Sequence, residues 1–361
     1  MTFLATPVAF LAALHLFLIG DAGNPDPKGE PVLRALTAEL HKSPENSAVI
    51  VLGDNIYPSG LPDESDEDHG EMARRIGDQV RAITEAGVRG MFIPGNHDWG
   101  GPGPQEWQRV VRQEALVERL GGPLVRWLPD GGCPGPVVVD DVDPGLRLVI
   151  LDTQWWLHDD HRPDEESVCG AVTDTAIVSA LTEALVTAGE RKVIVVGHHP
   201  LASRGAHGGH FTVTDHLFPL RSVKSWLLLP LPAIGSLYPL SRAHGIYGQD
   251  LSAGVYQEMR RRLLEAFAAR PPWMYVAGHD HNLQLLDGRA ELGATAPTHL
   301  VVSGAGLDGH TEPVDTDRVR VASSKAGFIR IDLDDSGAAS ITLIGVSEEG
   351  RAVEIWTGAL D

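Results

Sequence analysis

Short apolar runs recur along the first three quarters of the chain, and stretches with helical spacing separate them. The runs "LHLFLIG" (14–20), "SAVIVLG" (47–53), "GMFIPG" (90–95), "LRLVILD" (146–152), "KVIVVGHHP" (192–200) and "PPWMYVAGHDH" (271–281) read as buried strands that run into turns. Helical spacing begins at about Pro31 and at about Gly70, covers 173–189, and returns over roughly 252–269. Alternation of this kind predicts an α/β fold. The C-terminal region changes character, with strand patterns at about 299–303, 325–333, 339–345 and 352–356 and little helix. No long Ser/Pro/Gly linker divides residues 1–361 and no internal repeat shows, so the expectation is one domain of two packed mixed β-sheets flanked by helices.

With 361 residues and 43% hydrophobic content the chain can bury a sizeable core. It carries 29 Lys and Arg against 49 Asp and Glu, a formal charge of −20, and nothing basic is concentrated enough to release counterions from a nucleic acid. Nucleic-acid binding is therefore not expected. Acidic bulk can still surround a cationic pocket if metal ions supply the charge. The apolar N-terminus has no Lys or Arg before Lys28, so no signal peptide is visible, and either a cytoplasmic chain or a removed leader fits. Cys133 and Cys169 suit either free thiols or a single disulfide.

The chemistry lies where the strongest strands end, which is where α/β proteins place their sites. The loops are "GDAG" with Asp21, "GDNIY" with Asp54 and Tyr57, "GNHD" with Asn96 and His97, "VVGHHP" with His198, and "GHDH" with His279 and His281. Carboxylate, amide oxygen and imidazole together suit iron, zinc or manganese, and the lack of thiolates argues against a structural Cys-rich zinc site. An Asp or Asn after a strand is ordinarily a turn residue or a helix cap. Five such loops in one chain, with an H-x-H pair among them, point to a metal site.

The ordered set GD-x-G, GD-x-x-Y, GNH-[DE], V-x-x-H and GH-x-H resembles the signature of the calcineurin-like metallophosphoesterases, in the purple acid phosphatase version. The chain is most similar to the small type 5 (tartrate-resistant) enzymes, from Leu14 to about Thr357, with "LGDNIYPSGL", "GNHDWG", "LVILDT", "AGHDHNLQ" and "VVSGAG" in the expected order. The resemblance implies an αββα sandwich and two metal ions. Fe(III) would be held by Asp21, Asp54, Tyr57 and His281, and a second ion, iron, zinc or manganese, by Asp54, Asn96, His198 and His279, with Asp54 bridging. It also implies hydrolysis of small phosphate monoesters by in-line attack of a metal-bound hydroxide, with His97 and His207 as the catalytic layer that meets the substrate. A phosphodiesterase or nucleotide hydrolase is the alternative, and a non-hydrolytic metal-containing binding protein a more distant one. Family resemblance leans toward a periplasmic or secreted location; the oligomeric state stays open.

Among the neighbouring polar residues, His199 is expected to support the site by a hydrogen bond and Asp98 to orient His97, whereas Asp152 fits a supporting or a capping role equally. Asp280 is expected to face backbone or solvent. The loop "WWLHDDHRPDEES" reads as a solvated loop rather than a third metal site, with Trp155 and Trp156 walling the pocket. Ala22 stands where relatives carry a bulky aromatic. The larger departure is an insertion at about 208–251, whose apolar run from Trp226 to Leu240 is broken by Pro230, Pro232, Gly235 and Pro239 and so does not read as a transmembrane helix. A lid that selects the leaving group is the favoured reading; a surface flap, or a dimer or membrane-surface contact, are the others.

Overall fold

The structure is a computed structural model that describes residues 14–101, 106–158, 162–163, 169–222, 229–231, 234–307, 313 and 318–361. Asp159 to His161 of the loop "WWLHDDHRPDEES" lie outside the described residues, as does part of the apolar run of the insertion.

Fourteen strands are seen among the described residues. They are β1 (Leu14–Ile19), β2 (Ser47–Val51), β3 (Arg89–Phe92), β4 (Val125–Trp127), β5 (Val137–Val139), β6 (Leu146–Ile150) and β7 (Lys192–Val196), followed by β8 (Met274–Ala277), β9 (Leu283–Asp287), β10 (His299–Ser303), β11 (Val319–Ser323), β12 (Gly327–Leu333), β13 (Ala339–Val346) and β14 (Ala352–Leu360). They form two mixed seven-stranded sheets, ordered β14-β13-β12-β1-β2-β3-β4 and β11-β9-β10-β8-β7-β6-β5. In the first, β1, β2, β3 and β4 are parallel and β12 joins β1 antiparallel. In the second, β6, β7, β8 and β10 are parallel, and β5, β9 and β11 join antiparallel.

The strand period of two explains the layers. Leu16 and Leu18 of β1, Ala48 and Ile50 of β2, Leu148 and Ile150 of β6 and Ile194 and Val196 of β7 share one core between the two sheets. Their alternate neighbours, Phe17, Ile19, Val49, Val51, Val149 and Val195, join an outer core with the helices. Both faces of these strands are thus covered, which is why they read as apolar runs rather than alternating ones. Each fully buried Leu or Ile contributes about 1.5–3 kcal/mol relative to exposure. The helices Pro31–Leu40 and His69–Thr84 cover the first sheet by Val32, Leu36, Ile76, Val80 and Ile83. Asp174–Val186 and Gly254–Phe267 pack together against the second.

Cys133 and Cys169 are joined in a disulfide, Cα atoms 5.5 Å apart, which ties the loop after β4 to the segment before helix Asp174–Val186. The insertion holds short helices at Val213–Leu217 and Leu237–Ala243 packed on each other, and leaves Val213, Ile234, Leu237 and Ile246 exposed. Trp155 and Trp156 are both buried in the outer core, Trp155 beneath the guanidinium of Arg162, because rings of that area gain more from burial than a loop surface offers. Among the described residues, no helix is long and apolar enough to cross a membrane.

Candidate metal centre

The parallel strands of both sheets deliver their carboxyl ends to one edge of the sandwich. From the first sheet come Asp21 after β1, Asp54 and Tyr57 after β2, and Asn96 and His97 after β3. His198 after β7 and His279 and His281 after β8 come from the second. The chain must leave each strand abruptly, and Asp21, Asp54 and His279 do so with φ of 61°, 56° and 68°. Side chains rarely adopt this left-handed region, at a cost of about 1–3 kcal/mol each, and residues held there cluster at functional sites. Gly95 makes room for the turn: a Cβ on it would lie 2.3 Å from Asp54 Oδ1. Backbone N–H groups hold the strained turns, the His279 N–H donating across the sheets to Asp21 Oδ2 at 2.8 Å and the His97 N–H, within the first sheet, to Asp54 Oδ1 at 2.9 Å.

Seven donor side chains meet in two adjoining groups. In one, the Tyr57 hydroxyl lies 3.2 Å from Asp21 Oδ1, 3.2 Å from Asp54 Oδ2 and 3.1 Å from His281 Nε2. In the other, Asn96 Oδ1 lies 3.1 Å from His198 Nε2 and 2.9 Å from His279 Nδ1. Asp54 faces both, because its Oδ1 is 3.5 Å from His198 Nε2. Asp21, Asp54, His198 and His279 are buried, while Tyr57, Asn96 and His281 are half-exposed at the mouth.

Two carbonyls set the imidazole tautomers. His198 Nδ1 is 2.7 Å from the Leu52 carbonyl, which fixes its proton there and leaves the Nε2 lone pair facing the cluster. His279 Nε2 is 2.8 Å from the Gln249 carbonyl, so its Nδ1 faces the cluster. Burial and the adjacent Asp54 carboxylate push Asp21 up to about 8 against the pull of His198. Asp54 also suffers burial, yet His198 and His97 hold it below the usual carboxylate range. Burial pushes the Tyr57 phenol well up, reinforced by both carboxylates, and pushes His279 well down. Oxygen and nitrogen lone pairs are crowded in a space shielded from water, and that donor set fits metal cations.

A family model for calcineurin-like phosphoesterases matches residues 7–223, more than half of the chain. The chain belongs to the calcineurin-like phosphoesterases. A solved structure described as GAP50, the anchor in the inner membrane complex of Plasmodium, is similar with a TM-score of 0.52 over 97% of this chain and 89% of that one. At 15% identity the likeness is one of fold. No curated protein matches the sequence.

Around the seven donors, this calcineurin-like phosphoesterase places two further histidines at opposite ends. His97 packs on Tyr57 with ring centroids 4.5 Å apart, its Nδ1 2.7 Å from the Pro58 carbonyl. His207 stacks on His279 with centroids 3.9 Å apart. His199 comes within ligand range of His198 and His279, but its nitrogens engage Thr153 Oγ1 and Gln249 Oε1, both at 2.8 Å, in keeping with support rather than ligation.

One expectation is corrected. Asp98 does not orient His97: its carboxylate accepts the N–H groups of Gly95, Asn55 and Ile56 and the Asn55 amide, so it braces the two ligand-bearing loops against each other. Asp280 is buried rather than solvent-facing: it accepts the Ser203 hydroxyl at 2.5 Å and lies against Gly205, where a Cβ would come within 2.3 Å of its carboxylate. Asp152 accepts the Trp99 indole N–H at 2.8 Å and the Trp155 N–H at 3.2 Å, which joins a capping role to anchorage of the GNHD loop. Gln249 escaped the sequence reading, since it works mainly through a backbone carbonyl, a group every residue carries.

Proposed function

We propose that this calcineurin-like phosphoesterase hydrolyses phosphate monoesters at a centre of two metal ions, as a phosphatase of the purple acid type that it resembles. What supports the reading is the convergence of seven donors from five strand ends, with Asp54 turned toward both groups. Asp21, Asp54, Tyr57 and His281 would hold one ion, and a phenol oxygen among hard donors favours Fe(III) there. Asp54, Asn96, His198 and His279 would hold the second, iron, zinc or manganese. Two ions so held would supply Lewis acidity toward the phosphate oxygens and an acidified water for in-line attack at phosphorus.

The chain's own residues bind and orient the ester. His97 Nε2 and His207 Nε2 have no hydrogen-bond partner among the described residues, and they flank the centre from the Tyr57 end and the His279 end. They would meet the phosphate oxygens and the leaving-group oxygen of one bound ester. The insertion acts as a lid over this mouth and selects the leaving group, because Gln249 and the residues after it touch His279, His199 and His207 directly.

The test is turnover of a nitrophenyl phosphate beside the corresponding bis-ester, with iron-loaded protein. Faster monoester turnover is expected; preference for the bis-ester would move the chain to the phosphodiesterases, and turnover of neither would overturn hydrolysis. A visible tyrosinate-to-iron band that disappears in Tyr57→Phe is expected in the same samples, and a colourless iron-loaded wild type would exclude Tyr57 as a ligand.

A further inference from the structure

The insertion returns to the core at Gln249, Asp250 and Leu251, and all three residues close on the metal centre. The Leu251 N–H donates to the His207 carbonyl at 2.9 Å. The Gln249 carbonyl lies 2.8 Å from His279 Nε2 and 3.1 Å from His207 Nδ1. Its side-chain amide spans His199 Nε2 at 2.8 Å and Gln154 Oε1 at 3.1 Å. Between them, Asp250 is fully buried, with Oδ1 3.0 Å from His207 Nδ1. Arg242, from the helix Leu237–Ala243 of the same insertion, holds that carboxylate by Nε at 3.0 Å from Oδ1 and 2.9 Å from Oδ2, and donates from a second nitrogen to the Tyr238 hydroxyl at 2.9 Å.

A buried ion pair is a poor way to stabilise a fold, because desolvation consumes most of what the charges gain and apolar residues of the same volume often do as well. Here the pair sits where the insertion meets His207, and among the described residues every polar contact of the His207 ring falls on Nδ1. The other nitrogen has no partner among the described residues, on a side chain that is 23% exposed. A carboxylate locked by a bidentate guanidinium is a rigid reference for the ring's orientation. We infer that the insertion-borne pair Asp250–Arg242 is a positioning device for His207, so that the insertion is a working part of the catalytic site and not only a cover. This rests on the reading of His207 as a residue that meets the ester.

The experiment is a double-mutant cycle between Asp250→Asn and His207→Ala, with kcat and KM for a nitrophenyl phosphate and metal content measured for each protein. Asp250→Asn is expected to lower kcat about tenfold, as loss of an orienting partner does, with bound metal retained. KM should move by less than about threefold, because a misaimed His207 fails chiefly in the transition state. In the His207→Ala background the same substitution should cost nothing further. Additive losses, or a kcat within about twofold of wild type in Asp250→Asn, would overturn the positioning role. If Asp250→Asn does not fold, Arg242→Lys, which keeps the charge and loses the fork, goes through the same cycle with the same criteria. A wild-type protein inert toward all phosphate esters would instead sink the proposed function itself, and the two failures are thereby told apart.

Discussion

At the scale of single residues, the donor cluster is held together by groups that lie outside it. Asp98 accepts three backbone N–H groups from the two loops that carry Asp54 and Asn96. Asp98→Ala would leave those donors buried and unpaired, and a loss of about 3 kcal/mol or more is expected from the shift of the urea midpoint. Asp152 is pushed by burial from its ordinary 3.8 up to about 7, with partial relief from the Trp99 indole and the Trp155 N–H. Its folded pKa exceeds the unfolded one, so the folded chain binds more proton between those values; the group's contribution is complete below about pH 4 and is lost as pH rises through about 7. Stability of the wild type relative to Asp152→Asn should therefore decline over that window, and a pH-independent difference would contradict the assignment. All seven donors were legible in the sequence because each follows a strand in a glycine-bearing loop. Gln249, Arg242 and Asp250 were not, because they act from inside an insertion with no strand to mark them.

At the scale of elements, most strands were legible, whereas β4, β5, β9 and β11 were not. The runs at 14–20, 47–53 and 192–200 became β1, β2 and β7, and the C-terminal patterns became β10 and β12 to β14. Three-residue strands such as β4 and β5 carry too few positions to show a period, and the helix Glu106–Gly121 went unread, its buried residues Val110, Leu116 and Val117 diluted by polar neighbours. The disulfide could not be read from two cysteines, since spacing does not report proximity. It closes a loop of 36 residues in sequence separation, and its removal by Cys133→Ser with Cys169→Ser should cost roughly 3–4 kcal/mol in urea unfolding if the unfolded chain is otherwise unchanged. Identical midpoints with and without reductant would contradict it.

At the scale of the whole molecule, a chain of net charge −20 surrounds a centre that calls for cations. Outside the pocket a field of that sign repels anions, so small or less anionic esters are expected to be favoured over polyanions. For a polyphosphate substrate kcat/KM should rise with added salt as screening relieves the repulsion, and a salt-independent value would count against this field effect. The sandwich itself explains why one edge carries the chemistry, since parallel strands of two facing sheets send their carboxyl ends to the same place. The central claim is that Asp54 joins two ion sites there. Metal analysis of the purified wild type and of Asp54→Ala tests it most directly: about two ions per chain in the wild type are expected, with both sites depleted in the variant because both share that carboxylate. Two ions retained in Asp54→Ala, or full phosphatase turnover by wild-type protein without stoichiometric metal, would contradict the account.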